Sequence, residues 1–368
     1  MKIKTITCHD VYNVGASLQA YALLTYLTKL GHDVEVIDYK PDYLVHYRLT
    51  GLNNNRYDFP IVRILYQIAK LPKRIYDRLG KRKREFDYFT NNYLITTSRT
   101  YTSNDDLKKN LPYADIYFAG SDQIWNTIFQ NGKDPAFYLD FVENNCIKAS
   151  YAASFATETI DEKYKTNVKK WVNNLNFISV REKSGLKILK DLGIVRAIQV
   201  LDPVFLLCKN EWINIEKDLS IDDNYILIYD FDLNPTILSY AKKIAREKKW
   251  KIYSVLKNKN CDRSFYNEGP AAFIYLIRNA KFIISNSFHA TAFSIIFRKN
   301  FLVFNRKESI NTRMKDLLET FDLEDRIVTG DNMPNINVNY KILDDNIDKE
   351  IKKSKEYIQN VLKGENYD

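Results

Sequence analysis

Short apolar runs alternate with amphipathic segments along the whole chain, and this alternation restricts the fold more than any other feature. Runs at 2–7, 34–38, 114–119, 147–153, 177–180 and 197–201 read as one set of strands. Runs at 225–230, 251–256, 282–284 and 301–304 read as a second. Between strands lie segments of helical period. In 16–30, for example, Leu18, Ala22, Leu23, Tyr26, Leu27 and Leu30 fall on one face. Further helices are predicted over 61–90, 161–175, 184–192, 235–249, 270–280, 291–297, 314–320 and 348–362. Strands that alternate with helices give mostly parallel sheets. The chain therefore reads as an α/β protein with two Rossmann-like domains, 1–205 and 206–345, facing a cleft. A C-terminal helix within 346–368 is expected to pass back to the first domain.

A chain of 368 residues can bury a core without metal or disulfide staples. Only 11 glycines and 9 prolines occur, which excludes collagen-like and low-complexity classes. Lysine and arginine exceed the acids by 55 to 46, a net charge of +9 that suits a polyanionic partner, a phosphorylated substrate or an anionic membrane surface. Cys8, Cys146, Cys208 and Cys261 lack metal-ligand spacing and read as reduced thiols. No metal or cofactor is demanded. The opening residues lack the apolar core of a signal peptide, and no run approaches about 18 apolar residues, so a cytoplasmic protein is expected. Residues 70–84 hold eight basic side chains against one acid, Asp77, downstream of an apolar stripe at Ile61, Ile64, Leu65, Ile68 and Leu71. Such a segment predicts peripheral contact with the inner face of an anionic membrane. The alternative is a solvated helix packed on its own domain. No nucleic-acid motif accompanies the basic run, so no nucleic-acid partner is expected.

Four loops carry the candidate chemistry. Ligands of open α/β sheets bind where strands end and helices begin. Asn13 and Gly15 lie in such a loop, where a residue without a side chain lets backbone approach a ligand. The dinucleotide pattern GxGxxG is absent, although Asp38 ends the next strand. Ser121, Asp122, Gln123 and Trp125 follow a buried strand and offer hydrogen bonds to sugar hydroxyls and an apolar face to a sugar ring. The same residues could instead cap a helix and place Trp125 in the core. Arg181 stands between a strand and a helix, and its planar fork suits carboxylate or phosphate. Asp202-Pro203, at another strand end, reads as structural. Ser285, Asn286, Ser287 and His289 join the strand of 282–284 to an apolar helix. Small polar residues and free helix N–H groups make a phosphate site there. A positive helix end favours neutral imidazole at His289, which can serve as a base. A core histidine with satisfied hydrogen bonds is the alternative.

Taken in order, YNVGASLQAYAL, ADIYFAGSDQIWN, YAASFA, SVREKSG, LDPVFLL and NAKFIISNSFHATAFSIIF resemble the polysaccharide pyruvyl transferase family over roughly residues 1–305. The resemblance implies a glycosyltransferase-B-like fold. It implies transfer of the enolpyruvyl unit of phosphoenolpyruvate to two hydroxyls of a sugar, in a polysaccharide or its lipid-linked precursor. It makes His289 the catalytic histidine and Arg181 a catalytic and donor-binding arginine. Ser285, Asn286 and Ser287 then belong to the donor side in the second domain. Asn13, Gly15, Ser121, Asp122, Gln123 and Trp125 belong to the acceptor side in the first. Characterised members of the family can carry an arginine two residues before the histidine; here Ser287 stands there, so the second donor contact is expected from Arg298, Arg306 or Arg313, or from helix N–H groups. Two other functions fit the same architecture. One is a glycosyltransferase with a nucleotide-sugar donor, with Glu308 as its ribose-binding acid. The other is a non-catalytic glycan-binding homologue.

Overall fold

The computed structural model describes residues 1–45, 69, 71, 72, 75, 77–143, 145–308, 311–329 and 337–365. In chain order the first part comprises β1 (Lys2–Ile6), α1 (Val14–Lys29), β2 (Asp33–Tyr39), α2 (Lys81–Tyr93), β3 (Thr96–Tyr101), α3 (Asn104–Lys109), β4 (Ile116–Ala119), β5 (Ile147–Ser150), α4 (Glu162–Asn173), β6 (Ser179–Val180), α5 (Lys183–Asp191) and β7 (Ile198–Gln199). The second comprises α6 (Lys209–Ile213), β8 (Tyr225–Tyr229), α7 (Pro235–Lys248), β9 (Lys251–Ser254), β10 (Arg263–Ser264), α8 (Gly269–Asn279), β11 (Phe282–Ser285), α9 (Phe288–Ile296), β12 (Phe301–Val303), α10 (Thr312–Thr320) and α11 (Tyr340–Lys363).

Two five-stranded parallel sheets organise the molecule, in the orders β3-β2-β1-β4-β5 and β10-β9-β8-β11-β12. Their central strands are covered on both faces. Every residue of β4 (IYFA) and of β8 (YILIY) is buried, which is why these strands read as continuous apolar runs rather than as alternating ones. In both sheets the chain reverses its direction of travel beside the first strand, between β1 and β4 and between β8 and β11. Such a switch point leaves a crevice at the strands' carboxyl ends. The two crevices face each other.

Apolar packing joins the halves. Trp212, fully buried, meets the ring of Phe293 at 4.8 Å and that of Tyr21 at 5.7 Å. Arg82 donates to the carbonyls of Tyr266 (2.6 Å) and Tyr12 (2.5 Å) and lies over the rings of Phe86 and Tyr266. From α11, Tyr357 donates to the Ser150 carbonyl at the end of β5, and Ser354 accepts from the Leu201 N–H.

Two strands were not anticipated. β3 (TTSRTY) is a half-exposed edge pairing only with β2, so it carries no apolar run. β10 has two residues, both exposed. Within the expected helix 61–90, the apolar stripe Ile61, Ile64, Leu65 and Ile68 lies outside the described residues, as do Lys70, Lys73 and Arg74 of the basic run. Several remaining cations of that run are engaged within the chain: Arg82 as above, Lys81 with Glu268 and Lys83 with Asp87. Among the described residues no helix is long and apolar enough to cross a membrane.

Candidate active site

All four switch-point loops converge on one cavity of about 100 Å3. Asn13 and Gly15 reach it from β1, Asp122 and Gln123 from β4, Tyr229 and Phe231 from β8, and Asn286 to His289 from β11. Arg306 and Arg313 complete the lining.

Local sequence fixes each loop. Asn13 caps α1, its Oδ1 accepting from the N–H groups of Gly15 (2.9 Å) and Ala16 (3.3 Å). Ser287 caps α9 by accepting from the Ala290 N–H. The Asn286 amide donates to Asp230 and Asp232 and accepts from the Phe231 N–H, which ties the β11 loop to the β8 loop. Ser285 donates to the Tyr229 carbonyl and accepts from the Ser287 N–H. His289 is the second residue of α9 and is buried against Gly15. A Cβ on Gly15 would lie 2.0 Å from His289 Nδ1. The glycine therefore makes room for the imidazole of the facing lobe rather than for a ligand.

Charge is concentrated around His289. Asp202, buried at the start of the 3-10 turn Pro203–Leu206, accepts from Arg181 Nη1 at 2.6 Å and from Ser121 Oγ at 3.1 Å. Its Oδ2 lies 3.7 Å from His289 Nε2. Burial raises the Asp202 pKa, but Arg181, His289 and the Val204 N–H outweigh it and hold the carboxyl below its usual range. Arg181 and Arg313 both lie over the ring of Phe288, at 4.4 and 5.6 Å, and approach Asp122 at 4.0 and 3.9 Å. Asp122 holds this position with φ at +71°. Arg306 pairs with Glu308 and lies over Phe231. Glu182 accepts at one oxygen from Ser154, Phe155 and Ala156.

The donors left over point to a ligand. Arg181 Nε and Nη2, Arg306 Nε, Arg313 Nε and His289 Nε2 are buried without a hydrogen-bond partner, as is Glu182 Oε2. These are six of the twelve such side-chain atoms among the described residues. Of these residues, Arg306, Arg313 and His289 line the cavity, whereas Arg181 and Glu182 do not and face each other, Nε to Oε2, at 3.8 Å. Native proteins rarely leave buried polar atoms unpaired, and free guanidinium N–H groups at a cavity can hold an anion. Among the described residues no cluster of ligating side chains could hold a metal ion.

Burial also sets the state of His289. Desolvation pushes its pKa down to about 4, helped by Arg181 and Arg313 and opposed by Asp202 and Asp122. The ring is neutral at neutral pH, with a lone pair free to take a proton. Because the unfolded chain binds this proton near pH 6.5, stability is full above that pH and falls as pH drops toward 4, by about 3 kcal/mol in all. Urea melts at pH 7 and pH 4.5 should show the native chain losing about 2 kcal/mol more than His289→Asn. Equal losses would show that His289 titrates normally.

Three expectations from sequence need correction. Trp125 offers no face to a sugar: it is fully buried, stacked on Tyr138 at 5.2 Å, with its indole N–H on the Phe137 carbonyl. Ser121 is also fully buried and holds Asp202 and the Ala152 carbonyl rather than facing the cavity. Arg298 sits beyond the far end of α9, bonded to Asp344 and the Ile295 carbonyl. Arg306 and Arg313 occupy the place intended for it. Asp202, read from sequence as structural, proves to be the shared partner of Arg181 and His289; its position at a strand end was the available signal.

The family model of polysaccharide pyruvyl transferases matches residues 13–308, a span that contains every residue lining the cavity except Arg313. The chain belongs to the polysaccharide pyruvyl transferase family. This pyruvyl transferase family member is accordingly an enzyme that transfers a group in polysaccharide synthesis. Its fold is glycosyltransferase-B-like, two Rossmann-like halves across a cleft. The S. aureus MnaA–UDP co-structure superposes with a TM-score of 0.51 at 13% identity, covering 97% of this chain and 88% of that one. The structure of UDP-N-acetylglucosamine 2-epimerase from Rickettsia bellii gives 0.50 at 12% identity, covering 99% and 96%. These likenesses concern the fold. No curated protein matches the sequence.

Proposed function

We propose that the chain is a ketal pyruvyl transferase that uses phosphoenolpyruvate as donor and a sugar diol as acceptor. One observation carries this reading: two arginines with unpaired buried N–H groups, Arg306 and Arg313, and a neutral histidine line a single small cavity. Phosphoenolpyruvate is small and carries two anionic groups. Its carboxylate and phosphate match the free edges of Arg306 and Arg313, which replace the cation lacking at Ser287. Arginine forks bind such groups in pairs of hydrogen bonds.

The chemistry follows from the state of His289. The free imidazole accepts the proton of one acceptor hydroxyl as that oxygen bonds to C2 of the enol. The imidazolium returns that proton to the enol's π electrons at C3, which becomes the methyl group, and His289 is neutral again. The arriving dianion raises the pKa of His289, and Asp202 steadies the imidazolium that forms. The second hydroxyl then bonds to C2 and the C–O bond to phosphate breaks, so its proton leaves with the phosphate. Arginine donors fixed in advance stabilise the departing charge.

Melting curves with phosphoenolpyruvate, inorganic phosphate and a panel of nucleotide sugars test the donor. A ligand at 100 times its Kd should add about 2.7 kcal/mol of stability. Phosphoenolpyruvate should stabilise the chain strongly, phosphate weakly and nucleotide sugars not at all. Stabilisation by a nucleotide sugar alone would overturn the reading, in favour of a donor closer to the UDP bound in the S. aureus structure.

A further inference from the structure

Ketal formation removes two protons from the acceptor, one from each hydroxyl, and the cavity holds a proton-accepting group on each lobe. His289 belongs to the second lobe. Its Nδ1 is covered by Gly15, whose Cβ would lie 2.0 Å away, so Nε2 is the nitrogen left to work. On the first lobe stands Asp122, the only carboxylate among the described residues lining the cavity.

Several contacts fix Asp122. Its backbone is left-handed, with φ at +71°, and its carbonyl accepts from the N–H groups of Ile124 (2.8 Å) and Ser154 (3.1 Å). Left-handed backbone away from glycine is strained, and such residues gather at functional sites. Arg181 and Arg313 approach Oδ1 at 4.0 and 3.9 Å, near enough to hold the charge and too far for hydrogen bonds. The carboxylate therefore keeps its lone pairs, on a side chain 18% exposed. Arg313 also keeps Nε free for the donor's anion, which sets Asp122 beside the departing phosphate.

The two proton transfers ask for different groups. Attack on the enol needs a base that also hands its proton to C3, the work given above to His289. The second attack needs only a base. The proton of the second hydroxyl becomes acidic as its oxygen bonds to C2, so a carboxylate suffices, as when one activates water in glycoside hydrolysis.

We infer that Asp122 is a second catalytic base, which takes the proton of the second acceptor hydroxyl. As that oxygen bonds to C2, its O–H bond breaks to Asp122, and the C2–O bond to phosphate breaks with its electron pair going to phosphate. The proton then passes from Asp122 to the released phosphate, and the carboxylate is restored. This assignment rests on the pyruvyl-transfer reading above.

The test uses the full chain with phosphoenolpyruvate in heavy water and methyl glycosides of glucose, galactose, mannose and the N-acetylhexosamines as acceptors. Phosphate release reads the whole reaction. Deuterium gained at C3 of recovered phosphoenolpyruvate reads the first attack and its reversal. Asp122→Asn keeps the side-chain shape and tolerates left-handed backbone. It should release phosphate about 100-fold more slowly, yet still gain deuterium at C3 and keep the thermal shift given by phosphoenolpyruvate. His289→Ala should lose release and deuterium gain together. Asp122→Gly, relaxed at this φ, carries the same expectation if the asparagine variant misfolds. Native release from a folded Asp122 variant overturns the inference, because His289 then serves both hydroxyls. Loss of deuterium gain along with release overturns it too. A native chain that releases no phosphate with any of these acceptors sinks the pyruvyl-transfer reading, and this assignment with it.

Discussion

His289→Ala should leave the chain folded and slow turnover at least ~100-fold, the scale of a lost acid–base group. The fold has little to lose. Nε2 of the imidazole is buried without a hydrogen bond, and its nearest charged partner, Asp202, keeps Arg181 and Ser121. Removing an unsatisfied polar group leaves mainly a packing defect. Chemistry has everything to lose, because no other described side chain lining the cavity is a neutral base near physiological pH: the other titratable groups there are Asp122, Tyr229 and two arginines. Phosphate release measured beside a thermal melt separates the two effects. Normal turnover in a folded variant removes His289 from the mechanism.

A single added methyl group should be nearly as damaging. The ideal Cβ of Gly15→Ala falls 2.0 Å from His289 Nδ1 and 2.4 Å from both Cε1 and Cγ. The ring must swing away or the lobes must separate. Gly15 is helical, in the first turn of α1, where alanine is the better helix former by about 1 kcal/mol. The first lobe should therefore fold at least as well, and the defect should appear in turnover, about 10²-fold, as expected for a displaced catalytic group. The double variant Gly15→Ala/His289→Ala should be no slower than His289→Ala alone, because both changes remove one function. Additive losses would mean that Gly15 serves the reaction by another route.

Much of this arrangement could be read from the sequence because parallel sheets write themselves plainly. Apolar runs such as YILIYD and ADIYFA mark strands buried on both faces, and the polar loops after them mark the ligand edge. Asn13, Asp122, Ser287 and His289 were found that way, and the structure gathers them at one cavity. Facing positions between lobes leave no local trace. Arg298 lies nine residues after His289, yet a helix rise of 1.5 Å per residue puts it about 13 Å along the axis. Arg313, farther on in sequence, folds back beside the ring of Phe288. Trp125 misled because a tryptophan beside polar residues looks available, whereas Tyr138 and Phe155 enclose it. Gly15 shows the same limit. Its lack of a side chain was evident, but the occupant of that space belongs to the first turn of a helix more than 270 positions away.

The hydrogen bond from Tyr357 to the Ser150 carbonyl bears on how the molecule is made. A chain emerging from the ribosome exposes its first sheet long before α11 exists, and domains synthesised first normally fold first. Here β5 receives the Tyr357 hydroxyl, and the segment after β7 receives Ser354, only once the intervening lobe has been translated. The opening half of the molecule thus completes its structure last, and early release of the chain leaves both halves without their shared clasp.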